Sequence, residues 1–273
     1  THSFFAHLFA FYVVNIKNHG RSYKKFLSNH EKKVNLHVYY INVNCKMLSI
    51  IRDIFMYDFL LYALIACVLS GVTCGVVGSY IVARRMVFLS GGITHASFGG
   101  LGIALYAGVS PVAGALLFAS LSSVGIEFAS RRGRIREDSA VGIMWSVGMA
   151  IGALFMSLRP GYATDLTSYL FGNILLVEQQ DILYLALLTI FIVGGSVVWL
   201  RQLMFLTFDE DYARSQNIPV VVVSYVMAIV VAVTIVLSIK VMGIILLLSL
   251  LTIPAVVANT ITKDYRAIVI IAA

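Results

Sequence analysis

The sequence predicts an all-α fold, a polytopic transmembrane helical bundle of seven spans plus the start of an eighth. Three observations predict it: an apolar composition, long stretches without charge, and arginines gathered in alternate connections. Sixty per cent of the 273 residues are hydrophobic and 12% are charged, and the mean hydropathy is +0.91. A water-soluble domain of this length does not carry such a composition.

A bilayer core about 30 Å thick needs roughly 20 uncharged residues for one helical crossing. Stretches that meet or approach this run from Phe59 to Ala83, Met86 to Ile126, Ser139 to Leu158, Ile182 to Leu200, Ile218 to Ile239 and Val241 to Thr262. None of them contains Asp or Glu. The second has about twice the length of a single span and divides at Gly108-Val109-Ser110-Pro111, where glycine relaxes the backbone and proline suits a first helical turn. The apolar run from Ala267 to Ala273 reads as the beginning of the eighth span.

Basic residues set the orientation. Arg84 and Arg85, then Arg131, Arg132, Arg134 and Arg136, then Arg201 and Arg214, then Lys263 and Arg266 mark four cytoplasmic connections. The Gly108 to Pro111 turn, the Arg159 to Asp181 loop and a tight turn at Ser238 to Val241 face outward and carry only Arg159 and Lys240 as basic groups. The net charge of +7 is suited to anionic lipid headgroups, so a membrane partner is expected and no nucleic acid.

The tail before Met47 breaks this pattern. It precedes a span that starts outside, yet it holds Lys17, Arg21, Lys24, Lys25, Lys32, Lys33 and Lys46. Met47 is the first methionine, so residues 1–46 are expected to be an extension that is disordered or not native, with the membrane domain covering 47–273 and truncated at its C-terminus. The alternative, a signal or anchor at Ser3 to Val14, is too short to span and lacks a basic leader. His2, His7, His19, His30 and His37 lie in this tail with no regular ligand spacing, and Cys45, Cys67 and Cys74 show no metal-knuckle pairing.

The chemistry-bearing residues are few. No GxxxxGKS or GxxxxGKT loop is present, so any ATP hydrolysis by that route belongs to another subunit. A membrane-embedded enzyme would need paired carboxylates, an HExxH helix or a serine and histidine pair within the spans, and no such set stands out. His95 is the histidine of the membrane part; neutral imidazole ligates zinc and manganese, although a lone histidine also serves as a hydrogen-bonded structural residue. Pro254 would free backbone carbonyls within its helix, for a packing kink or for an ion contact.

The run Arg84 to Gly100 (RRMVFLSGGITHASFGG) joins a basic loop to a glycine-rich segment around His95. With Arg134 to Gly142 (RIREDSAVG), Phe208 to Ile218 (FDEDYARSQNI) and Val241 to Ala258 (VMGIILLLSLLTIPAVVA), it resembles, in order, the metal-type ABC permeases that import zinc, manganese or iron. The resemblance covers Met47 to Ala273. It implies the membrane-spanning permease subunit of an ATP-driven importer, not itself an enzyme, in a bacterial inner membrane. Zinc is the first choice of cargo, with manganese or iron as alternatives; a passive channel or secondary transporter is the competing class.

The resemblance further implies that Asp209, Tyr212, Ala213 and Asn217 belong to a cytoplasmic coupling helix seated in an ATPase subunit. An extracytoplasmic metal-binding protein and a second permease copy complete the expected assembly, and no cofactor is bound permanently. Two positions depart from the family. Asn217 stands where glycine is usual, and asparagine tolerates the left-handed turn better than other non-glycine residues. Gly91 stands where the family commonly places an aspartate one turn before the histidine, which leaves Thr94, Ser97 and backbone carbonyls as the nearest oxygen donors to His95.

Overall fold

The computed structural model describes residues 56–133, 135–158, 172, 174 and 177–273. The chain divides into two units, Thr1–Asp58 and Phe59–Ala273. Only residues 56–58 of the first are described, so the expectations for residues 1–46 and for a start at Met47 lie outside the described residues.

All regular structure among the described residues is helical. The order is α1 (Asp58–Ala83), α2 (Val87–Ala107), α3 (Pro111–Gly133), α4 (Glu137–Ser157), α5 (Gln179–Phe208), α6 (Glu210–Ser215), α7 (Val220–Ile261) and α8 (Tyr265–Ala272). Six of these are long and apolar enough to cross a membrane. The last of the six, α7, has 42 residues, twice what one crossing needs.

α7 accounts for two crossings because it breaks at Gly243, with φ 75° and ψ 170°. Cys74 Sγ lies 4.0 Å from Ser238 Oγ, while a Cβ placed on Gly78 would collide with the Leu251 carbonyl oxygen. Cys74 and Gly78 sit one turn apart, about 6 Å, whereas an unbroken helix would hold Ser238 and Leu251 about 20 Å apart. The chain therefore folds back at Gly243 into two arms, 220–242 and 244–261. The tight turn expected at Ser238 to Val241 is corrected by this: those four residues stay helical, and the reversal waits for the glycine, whose backbone reaches a conformation closed to other residues.

The helices also run past their apolar stretches. α3 continues beyond Ile126 to Gly133 and carries Glu127, 5% exposed, into the bundle; hydropathy alone ends the span where the charge begins. Arg131, one turn further on, supplies the opposite charge, its Nε 2.5 Å from Glu127 Oε1. α5 starts three residues before its apolar stretch with a capping box. The Glu178 side chain accepts from the first-turn backbone, and Asp181 Oδ2 accepts from the Glu178 N–H at 3.1 Å.

Packing is closest where side chains are smallest. A Cβ on Gly148 in α4 would lie 2.5 Å from Ala96 Cα in α2, and one on Gly102 in α2 would lie 2.7 Å from the Gly152 carbonyl oxygen in α4. Gly100 and Gly114 bring α2 and α3 together in the same way. Lipid is as apolar as leucine, so such backbone contact, rather than burial of large side chains, drives helices together in a membrane. Between α1, α5 and α7 the contact is polar instead: the Thr73 and Thr189 hydroxyls are 2.8 Å apart, beside the Cys74–Ser238 contact.

The outward end is tied by Lys240 Nζ, which donates to Asp181 Oδ1 at 2.6 Å and joins the first arm of α7 to the start of α5. At the opposite end Arg84, Arg131, Glu210 and Arg214 meet, so three of the four connections grouped by charge do share one end of the bundle.

The α2–α4 contact gives a test. Gly148→Leu forces the helices apart, a strain of about 1–3 kcal/mol or more. It is expected to lower the melting temperature of the detergent-solubilised chain or abolish its monodisperse peak in size-exclusion chromatography. Gly142→Ala, on the same helix with open space around its Cα, is expected to leave both unchanged.

Candidate functional site

The segment between α5 and α7 builds a six-residue helix from local chemistry. Asp209 is extended, at φ −153° and ψ 98°, and its Oδ1 accepts from the backbone N–H groups of Asp211 at 3.1 Å and Tyr212 at 2.9 Å. A carboxylate at this position satisfies N–H groups that have no partner within the helix. Asn217 ends the helix with φ 58°; its N–H donates to the Arg214 carbonyl and the N–H of Ile218 to the Ala213 carbonyl, the paired bonds of a Schellman stop. Asparagine therefore does adopt the left-handed turn usually assigned to glycine. Pro219 follows and opens α7.

The four residues that the sequence singled out here do different things. Asp209 caps the helix and Asn217 stops it. Ala213 is fully buried and holds α6 against the bundle. Tyr212 sits edge-on against Phe205, their ring centroids 5.0 Å apart, yet is 46% exposed. Tyr212, Asp211, Phe208, Arg214, Ser215 and Gln216 form a continuous exposed face.

Glu210 is the residue that sequence reasoning missed. Its carboxylate receives Arg84 from the α1–α2 connection, Arg131 from α3 at 3.2 Å and Arg214 from α6 itself at 3.7 Å. Arg131 also donates to Ser224 Oγ on α7 at 2.7 Å, and Arg84 donates to the Tyr80 hydroxyl on α1 at 3.1 Å. Charge periodicity signals only the i,i+4 pair with Arg214, since Glu210 lies 126 positions from Arg84 and 79 from Arg131.

His95 and Trp145 are each the ninth residue of their helix, α2 and α4, and stack at the same depth. Their ring centroids are 4.2 Å apart and the planes 7° from parallel. His95 is half-buried, and no described side chain hydrogen-bonds its ring nitrogens. Gly91, one turn earlier on the same face, has nothing within 4 Å of a Cβ, so a larger side chain has room there. Thr94 and Ser97 are buried and donate back to the carbonyls of Ser90 and Thr94, at 2.7 and 2.6 Å. They point off the face that carries His95, since Thr94 is about 100° and Ser97 about 200° around the helix.

No group of three or more His, Cys, Asp or Glu side chains comes together for a metal among the described residues. Pro254 lies in the second arm of α7 with helical dihedrals around it, and the departure in that helix falls at Gly243.

The chain is thus a bundle of apolar helices long enough to cross a membrane, with a short polar helix exposed at one end. The ABC 3 transport family matches residues 56–273, and the chain belongs to that family. A Chlamydia trachomatis protein named "Probable metal transport system membrane protein" is 35% identical over 232 residues, covering 83% of this chain and 79% of the relative. A manganese transport system membrane protein of Halalkalibacterium halodurans is 30% identical over 217 residues, 80% of this chain and 74% of the relative. Among solved structures, PsaBC from Streptococcus pneumoniae in complex with Fab superposes with a TM-score of 0.72 at 26% identity, covering 83% of this chain and 81% of that one.

The caps of α6 are testable by hydrogen exchange. Asp209→Ala is expected to cost about 1 kcal/mol of local stability and to speed amide exchange at Asp211 and Tyr212. Asn217→Gly is expected to leave exchange at Ile218 unchanged, and Asn217→Val, β-branched at a positive φ, to accelerate it.

Proposed function

We propose that the chain is the membrane-spanning permease subunit of an ATP-driven importer of divalent transition metal ions. The observation that carries the proposal is the family match over 56–273 in a chain whose cytoplasmic face presents α6. The sequence put zinc first. Relatives in Halalkalibacterium halodurans and Listeria monocytogenes are named manganese transport system membrane proteins, which favours manganese over zinc and iron.

In this function α6 is a coupling helix. Its exposed face, with Tyr212 at the centre and Asp209 and Asn217 fixing its ends, seats in a separate ATPase subunit, and the buried Ala213 keeps it on the bundle. Closure of two ATPase subunits moves two permease copies between inward-open and outward-open arrangements, and an extracytoplasmic binding protein delivers the ion. A passive carrier has no use for such a docking helix.

His95 is the ion-facing residue of the path. A neutral imidazole offers one ring nitrogen lone pair to a borderline divalent ion, and an ionisable side chain at mid-membrane is costly unless it serves a pathway. With Gly91 in place of a carboxylate the contact is a weak one, which suits an ion that must leave as readily as it arrives. Pro254 serves as a flexure of the second α7 arm.

The test is cellular manganese, zinc and iron content under metal starvation, in cells lacking the chain and in cells supplied with it and its partners. Loss of one metal on deletion, its return with the wild-type chain and its failure to return with His95→Ala is the expected result. Gly91→Asp, which sets a carboxylate one turn from the imidazole, is expected to slow release and raise the metal retained by the purified permease. If no metal content changes, the cargo is something else.

A further inference from the structure

The carboxylate of Glu210 ties the coupling segment to the bundle through two arginines and to its own helix through a third. On one side are Arg84, which follows α1, and Arg131 of α3; on the other is Arg214 of α6 itself. The bundle-side groups are held in turn. Arg84 donates to the Tyr80 hydroxyl at 3.1 Å, and Arg131 donates to Glu127 at 2.5 Å and to Ser224 Oγ at 2.7 Å. Four elements, α1, α3, α6 and α7, thus converge on one polar cluster.

Apart from Arg214, these groups are sheltered. Side-chain exposure is 12% for Arg84, 18% for Arg131, 7% for Glu127 and 29% for Glu210, against 84% and 71% for the Arg136–Asp138 pair at the same end. Pairs that exposed contribute little, whereas sheltered ones are screened less by salt, and guanidinium forks fix the direction of the carboxylate they hold.

The backbone on either side of α6 leaves the helical conformation, so α6 is not continuous with α5 or α7. Asp209 is an extended residue and Asn217 a left-handed one, so a push on this six-residue helix would be absorbed at its two ends unless a side chain linked it to the spans. The buried Ala213 presses α6 inward but, as a methyl group, cannot pull. Glu210 can do both.

We infer that Glu210 is a positioning residue that carries displacement of α6 into α1 and α3, so that work done on the cytoplasmic face reaches the spans instead of being lost at the ends of α6. The inference rests on the coupling role proposed for α6. Without the carboxylate, Arg84 and Arg131 keep only the bundle's own acids, Glu127 and Glu137, and Arg214 keeps Asp211 of α6, so the link between α6 and the spans is lost.

The experiment uses proteoliposomes holding the permease with its ATPase and binding protein, manganese(II) as the probe ion and zinc(II) in parallel. Ions taken up per ATP hydrolysed is the readout, and co-purification of the ATPase is the check on docking. Glu210→Gln is expected to lower the ratio by about fivefold or more, with the ATPase still bound. Asp138→Asn, in the exposed pair nearby, is expected to keep the wild-type ratio. Adding Arg84→Gln to Glu210→Gln is expected to cause little further loss, since both break the same link.

A wild-type ratio in Glu210→Gln overturns the inference, and so does loss of the ATPase, which would make Glu210 part of the docking face. If Glu210→Gln does not reach the membrane folded, Arg84→Gln alone replaces it: a partial fall is expected, and an unchanged ratio overturns the inference. Tyr212→Glu separates the two levels. If the ATPase still co-purifies with it as with wild type, the coupling role of α6 is wrong; if the ATPase is lost while Glu210→Gln transports normally, only the role of Glu210 is.

Discussion

A helix in hydrocarbon gains little by laying a leucine against its neighbour, because the lipid it displaces is as apolar as the partner it meets. Cohesion has to come from backbones close enough for dispersion and from polar groups that find one another. Gly148 against Ala96, Gly102 against Gly152 and Gly100 against Gly114 supply the first kind, and they lock α2, α3 and α4 into one block. Thr73 with Thr189 and Lys240 with Asp181 supply the second, between α5 and its neighbours α1 and α7. Other large apolar side chains face outward, so Ile190, Val197 and Val198 on α5 are each more than 70% exposed.

The same constraint places the chemistry. With α2 and α4 in backbone contact, two rings at equal depth on facing sides have only stacking distance between them, and His95 settles on Trp145. The glycine run Gly91-Gly92 around the preceding turn serves two ends at once: Gly92 lets Val141 in, while Gly91 leaves space beside the imidazole. Charge is confined to the ends of the helices, where water can reach it, and it differs between them. One lysine and one aspartate close the outer end, and a cluster of arginines and glutamates closes the inner one.

Much of this was legible in the sequence, for stated reasons. Gaps in charge located the apolar stretches, since a charged residue at mid-bilayer is costly whatever surrounds it. Arginine counts put Arg84, Arg131 and Arg214 on one side, and the three do converge at one end of the bundle. The break at Gly108 and the left-handed Asn217 follow from local backbone chemistry. The misses lie where distant residues decide. The reversal of α7 was set at Ser238 to Val241 because Lys240 interrupts the apolar run, yet Lys240 remains helical because Asp181 is there to receive it. Glu127 was read as the end of a span because its partner Arg131 was counted only as a topological signal. Glu210 showed only its i,i+4 spacing to Arg214, since its bundle partners, Arg84 and Arg131, come from distant segments.

α6 shows how the local and the distant combine. An isolated helix of six residues is unstable in water, because nucleation costs more than so few hydrogen bonds return. Its caps, Asp209 and Asn217, offset part of that cost but leave the segment free to swing as a unit. Burial of Ala213 and the salt links of Glu210 remove that freedom without lengthening the helix. A longer helix would be stable alone and could slide on the bundle; this one exists only while attached to it. A contact made on its exposed face is therefore a contact made, at one remove, on α1 and α3.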